Sequence, residues 1–232
     1  MSGAGQLPFL VLTLGAWALA AAAWQATGRH ALANPTLVAI ILVAGVLAAS
    51  GADLGRYQTE TGVIHLLLGP AVVSLAVPLY RHAPMLAART AVLALALIAG
   101  AVLNCLLALA VLAALGGSAA TLASLAPKSA TAAVAMAVST ETGGIAALTA
   151  VVTILAGITG AVFGPALLDR LGIRDPIARG FGLGLASHGI GTARAFQESE
   201  AAGTTAGLAM GLNAIVTALI VPLVLRYGGL LG

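Results

Sequence analysis

Apolar positions in this chain come in unbroken runs rather than in alternation. They fall near residues 7 to 24, 36 to 50, 62 to 80, 85 to 115, 145 to 168, 176 to 193 and 204 to 225. A run such as "MLAARTAVLALALIAGAVLNCLLALAVLAAL" is too long and too continuously apolar for a strand, and only a helix satisfies its own backbone hydrogen bonds in hydrocarbon. A membrane β-barrel needs short alternating segments, which are missing. The pattern predicts an all-α polytopic membrane protein, with seven transmembrane helices read from the seven runs.

Residues 117 to 140 break the pattern. The stretch is apolar enough for the membrane, yet Gly116, Gly117, Pro127 and Lys128 interrupt it. Lys and Arg in short loops favour the cytoplasmic side, which tests how the stretch crosses. If it enters and leaves on one face, Arg29, Arg81, Arg89, Arg170, Arg174, Arg179 and Arg226 share a side, seven of the ten basic residues. The opposite side then carries Asp53, Glu60, Glu141, Glu198 and Glu200 with Arg56 and Arg194. A broken or re-entrant segment is therefore expected there, with the N-terminus outside. "GPAVVSLAVPLY" from Gly69 and "APKSATAAVAMAV" from Ala126 also form a faint internal repeat whose copies run in opposite directions. Inverted repeats of that kind are common in secondary transporters.

Composition agrees with the class. Of 232 residues, 60% are hydrophobic and 7% charged, with a mean hydropathy of +1.08, whereas a soluble domain carries about a quarter charged residues. The first apolar run has no basic residue before Arg29, so it reads as a retained helix rather than a signal peptide. No linker or charge block divides residues 1 to 232, and a single membrane domain is expected. The net charge of +3 is scattered without a basic stripe, which argues against nucleic acid as a partner. The lone Cys105 sits in an apolar run, and His30, His65, His82 and His188 share no ligand spacing, so neither a metal nor a cofactor is expected.

Two constellations carry candidate chemistry. In "APKSATAAVAM", an uncompensated Lys128 near the bilayer centre would cost about 2.5 to 3.5 kcal/mol on the insertion scale. It either snorkels to the interface or anchors an anion. Pro127 suits the first turn of a helix, so a helix starting there would aim free amides, with Ser129 and Thr131, at a site beside Lys128. One cation, several N–H donors and two hydroxyls suit a small carboxylate. In "GFGLGLASHGIGTARAF", a continuous helix would place His188 and Thr192 on one face with Arg194 nearby, and Gly180 and Gly184 below them. That face is either a tight glycine seam with His188 bonded across it or the polar lining of a solute path. Asn34-Pro35 and Gly69-Pro70 read as helix starts, breaks or plain loops. An intramembrane hydrolase using Ser129 or Ser187 with His188 fits poorly, since adjacent Ser187 and His188 diverge by about 100° on a helix.

"PKSATAAVAM" followed by "SHGIGTARA" resembles the LrgB family, also called CidB/LrgB, over nearly the whole chain. The "NP" at Asn34-Pro35 and "LGPAVVSLAVPLY" also match that family's earlier blocks. The family pattern falls on Pro127, Lys128, Ser129 and Thr131, and on Ser187, His188, Ile190, Gly191, Thr192, Ala193 and Arg194. Ala132, Ala133 and Ala146 stand where relatives often carry bulkier or prolyl residues. The resemblance implies a multi-pass bacterial inner-membrane protein, often paired with a small LrgA/CidA-like partner and described as modulating murein hydrolases and autolysis. Plastid relatives translocate glycolate and glycerate, and some bacterial pairs are linked to pyruvate uptake. The joint expectation is a secondary carrier of small monocarboxylates, set in membrane lipid as a homo-oligomer. Lys128, Ser129, Thr131, His188, Thr192 and Arg194 are its candidate solute residues, and Asn34, Pro35, Gly69, Pro70, Pro127 and Gly191 its structural ones. A holin-like component without a defined solute site is the alternative.

Overall fold

A computed structural model describes residues 7–28, 33–74 and 76–229. The orientation argument for Arg29, and His30 with it, fall outside them. The described residues are helical, and the chain divides into two compact units, Met1–Ala76 and Val77–Gly232.

The first unit holds α1 (Leu7–Ala26), α2 (Pro35–Ser50), α3 (Leu54–Glu60) and α4 (Gly62–Ser74). Asn34 and Pro35 do start a helix: the Asn34 side-chain oxygen accepts from the amides of Thr36 (3.0 Å) and Leu37 (3.3 Å), with Pro35 in the first turn. Gly69-Pro70 does not. Both residues lie inside α4. Pro70 only removes one backbone donor from a helix that continues past it. Near α3, Thr13 and Tyr57 share a hydrogen bond of 2.9 Å, and the Arg56 guanidinium lies over the Phe9 ring.

The second unit runs α5 (Ala76–Arg81), α6 (Ala83–Ala87), α7 (Thr90–Ala114), α8 (Ala119–Leu125), α9 (Ala132–Glu141), α10 (Ala146–Arg170), α11 (Pro176–Phe196) and α12 (Glu200–Tyr227). Among the described residues four helices are long and apolar enough to cross a membrane: α1, α7, α10 and α12. The expected seven do not all appear. The run 36 to 50 forms a helix of 16 residues, about 24 Å long and short of a 30 Å hydrocarbon core. The run 176 to 193 turns back on itself.

That turn is unmistakable in the contacts. Ser187 and His188 have non-helical dihedrals inside α11. A Cβ on Gly191 would overlap the carbonyl oxygen of Leu183, whereas eight residues of straight helix span about 12 Å. Arg179 and Arg194, about 22 Å apart on a straight helix, both reach Glu198. Thus α11 is a hairpin of two arms, α11a (176–186) and α11b (189–196). The segment 118–145 also doubles back: past α9, the Ile145 amide donates to Ser124 Oγ of α8 at 2.7 Å.

The three long helices of this unit hold the two folded-back segments at opposite halves. On α7, Leu97 packs with Phe181 and Leu185 of α11, while Cys105 and Leu109 pack with Leu122 and Ala126. On α12, Ala202 and Ala206 pack with Leu183 and Ala195, while Val221 and Leu225 pack with Leu122 and Val138. On α10, Thr149 bonds Ser139 and Thr153 receives His188. One hairpin therefore enters from each end of the unit. Their small residues permit the approach: Gly180 and Gly184 lie against the backbone of Ala202 and Ala206, where a Cβ would collide. Outward, Leu95, Leu107, Leu155 and Leu219 are exposed by more than half, as a lipid-facing surface requires.

Candidate functional site

The first break lies between α8 and α9. Ser118 caps α8 through the Thr121 amide at 3.3 Å. Pro127 then ends the helix, because it has no N–H to return to Ala123, and the chain unwinds through turns that bond Lys128 to Leu125 and Ala130 to Pro127. Helix α9 begins at Ala132 with Thr131 as its cap. This corrects the expectation of a helix starting at Pro127: proline closes one helix here, and Ser129 lies in the turn rather than in a first helical turn. The Thr131 side chain makes no capping bond, so the first amides of α9 have no side-chain partner from it.

Lys128 does not snorkel to an end. Its ammonium donates to Asn104 Oδ1 at 2.9 Å, near the middle of α7, which uses one of its three N–H donors. Ser129 is buried, and its carbonyl accepts from Asn213 Nδ2 at 2.9 Å.

The second break is the tip of α11. His188 has φ 41° and ψ −132°, a left-handed conformation that strains any residue with a Cβ. Two glycines of α10 make room for the tip. The ring Cε1 of His188 is 2.6 Å from where a Gly157 Cβ would be, and Ser187 occupies the corresponding space at Gly160. His188 Nε2 lies 2.9 Å from the Thr153 carbonyl oxygen. A carbonyl can only accept, so Nε2 carries the hydrogen. The Thr192 hydroxyl donates to the His188 carbonyl at 2.8 Å. His188 and Thr192 therefore do not share the face of one helix; Thr192 supports the turn that His188 makes. The hydroxyls of Ser187 and Thr153 are buried without a hydrogen-bond partner. With Ser187 unpartnered and Nε2 spent on Thr153, no Ser187–His188 dyad exists.

One side chain touches both breaks. Asn213, at the middle of α12 and fully buried, donates from Nδ2 to Ser129 O and to Leu185 O at 3.2 Å. The structure thus gathers Lys128, Ser129 and His188 around the middle of the unit, with Thr131 and Thr192 at the starts of α9 and α11b. Arg194 is elsewhere. It stands in the last turn of α11, 3.5 Å from Glu198, which also receives Arg179 at 2.7 Å. Arg179 reaches Asp169 as well, at 2.6 Å. Glu198, Glu200 and Arg194 thus share an end with Arg179, against the sidedness expected from a straight α11, and Arg226 moves to the far end of α12.

At the Arg179 end, Asp175 caps α11 and pairs with Arg89 at 2.5 Å. The hydrogen bond from Arg89 holds its carboxyl below the usual carboxylate range, against the opposing effect of burial. A groove of about 680 Å³ runs between α10 and α11a, from Arg170 past Phe163 and Leu183 to Ser187, and Lys128 does not line it.

Asn104 and Asn213 were missed by a reading that searched the apolar runs for charges. An amide in the middle of "GAVLNCLLALAV" or "GLAMGLNAIVTALIV" is itself a signal, since a buried amide in hydrocarbon needs partners.

The LrgB-like family model matches residues 13–227. The holin-like protein CidB of Staphylococcus epidermidis is 34% identical over 197 residues, covering 85% of this chain and 86% of the relative. The Staphylococcus aureus protein of the same name is 31% identical, covering 83% and 84%. The Bacillus subtilis protein YwbG is 32% identical, covering 84% and 86%. No solved structure matches the chain significantly. A model match over nearly the whole length, with relatives covered over more than four fifths of their length and four apolar helices among the described residues, makes this a membrane protein that belongs to the LrgB-like family.

Proposed function

We propose that the protein is a multi-pass inner-membrane secondary transporter of small monocarboxylates of the glycolate, glycerate and pyruvate class. The observation that carries this reading is the meeting of two broken segments at Asn213. Each break starts a new half-helix, α9 and α11b, near the middle of the unit. Helix N-termini carry partial positive charge and free amides, and discontinuous helices at mid-membrane are how transporters hold anionic solutes. Lys128 adds the full charge that a carboxylate needs and keeps two N–H donors beyond Asn104.

The repeat that supports transport differs from the one expected at Gly69 and Ala126. In this reading α7 with the 118–145 hairpin would be one copy and α10 with the α11 hairpin the other, in opposite directions, and the element order supports that pairing. Sidedness fits. Arg81, Arg89, Arg170, Arg174, Arg179 and Arg194 belong to the end where both termini of α11 lie, which is the cytoplasmic end by the positive-inside rule. An LrgA/CidA-like partner and a homo-oligomer remain part of this proposal on family grounds.

The relatives' printed name, holin-like, favours a second reading in which the protein modulates lysis without a solute site. Purified protein in liposomes separates the two. The carrier gives saturable, competable uptake of labelled glycolate or pyruvate with the vesicles tight to a small dye. The holin-like reading gives dye release, or no uptake.

A further inference from the structure

The two breaks leave two backbone carbonyls without helical partners, and both are satisfied by a single nitrogen. Leu185 O would accept from Gly189 in a continuous helix, but the turn at Ser187 and His188 removes that bond. Ser129 O lies in the non-helical turn after Pro127. Asn213 Nδ2 donates one hydrogen to each, at 3.2 and 2.9 Å, and Oδ1 faces the Thr217 hydroxyl at 3.4 Å. Because both partners are carbonyls, the amide orientation is fixed: nitrogen toward the breaks, oxygen toward Thr217. Asn213 is fully buried.

We infer that Asn213 is a positioning residue that locks the two hairpin tips in one register, so that they move as a single body and solute is not released by parting them. The inference rests on the transport reading for its functional consequence, but its structural half stands apart. Losing Asn213 should loosen both tips together, though they belong to hairpins that enter from opposite ends. It should also spread Lys128 and the α9 amides away from the α11b amides, weakening solute capture more than turnover.

The isosteric variant Asn213→Asp tests this, with Asn213→Ala beside it in case one does not fold. The aspartate fills the same space but, as a buried carboxylic acid, has one O–H donor for two carbonyl oxygens. Hydrogen exchange is measured on protein in nanodiscs, with thermal melting to establish that each variant is folded. Exchange is expected to rise in both 126–131 and 186–191, with α12 still protected. A rise in one tip alone, or unchanged exchange at both in a folded variant, overturns the inference whether or not the protein transports. In liposomes the KM for glycolate is expected to rise about ten-fold or more with kcat within about two-fold, since a lost pair of buried hydrogen bonds acts on the site's geometry. A lower kcat at unchanged KM overturns the functional half. Wild-type protein without saturable uptake sinks the transport reading and leaves the exchange result to decide the register.

Discussion

The two breaks solve the same problem by different means. At 126–131 the chain takes six residues, a proline and a lysine to reverse, with no positive φ among them. At 187–188 it takes two, and His188 absorbs the reversal in a conformation that glycine favours. The first turn is unstrained and carries a lysine; the second is strained, carries an imidazole and hydroxyls, and depends on space left by Gly157, Gly160 and Gly191. A proline break announces itself because it removes a donor. A tight turn between apolar arms adds nothing to hydropathy, and the arms sum to one plausible span.

The sharpest way to break the comparison is to ask whether the second turn exists in a membrane. In a Cys105→Ser background, single cysteines replacing Arg174 and Ser199 should be labelled by an impermeant maleimide from the same side of oriented vesicles, and a cysteine replacing Glu141 from the other. Labelling of 174 and 199 from opposite sides would make α11 a crossing helix.

A smaller effect comes from the space that only the second turn needs. Gly191→Ala would drive a Cβ into the Leu183 carbonyl, at a cost of about 2 kcal/mol seen as a lower melting temperature in detergent. Gly182→Ala, with nothing within 4 Å, should be close to neutral. Equal losses in both variants would refute the fold-back packing.

Strain gives the next test. His188→Gly and His188→Ala lose the same ring and the same bond to Thr153, but only alanine keeps a Cβ at φ 41°. Glycine should therefore be the more stable by about 1 to 2 kcal/mol. The corresponding pair at Lys128, which has no positive φ, should show no such advantage for glycine.

The weakest effect lies at the base of the α11 hairpin. Asp175 has its carboxyl pKa lowered by Arg89, so its contribution is present above the unfolded value near pH 4 and is lost as pH falls through the lower folded value. The side chain is 41% exposed, so the effect stays below about 1 kcal/mol. Melting of Asp175→Asn, which keeps a capping oxygen, should trail wild type at pH 6, with the gap narrowing as pH falls below about 4 and closing as it passes through the lower folded value. A difference that does not narrow at all as pH falls below about 4 would assign the effect to something other than the charge.

The legible part of the fold follows the same division. Apolar length alone identifies α7, α10 and α12, because hydrocarbon demands it. Lys128 and Pro127 mark the first hairpin because each is expensive inside a helix in lipid. Three things were hidden. The α11 arms are as apolar as a span, so the turn shows only in the sequence "SHG" among crowded glycines. Pro127 could open or close a helix equally well by composition, and which it does depends on the turn around Lys128. Asn213 is neutral, and its importance lies in two carbonyls that belong to distant segments. Arg194, a plausible anion anchor by its distance from His188 in sequence, is carried away from the tip by the return of α11b and ends beside Glu198.

The central claim is that the junction of the two breaks captures a small anion through Lys128. Uptake of labelled glycolate and pyruvate into liposomes should be saturable for wild type. For Lys128→Met, folded by its melting curve, kcat/KM should fall by about 50-fold or more, the worth of a charge-assisted contact. Uptake that is unchanged in Lys128→Met, or wild-type vesicles that leak dye without saturable uptake, would contradict it.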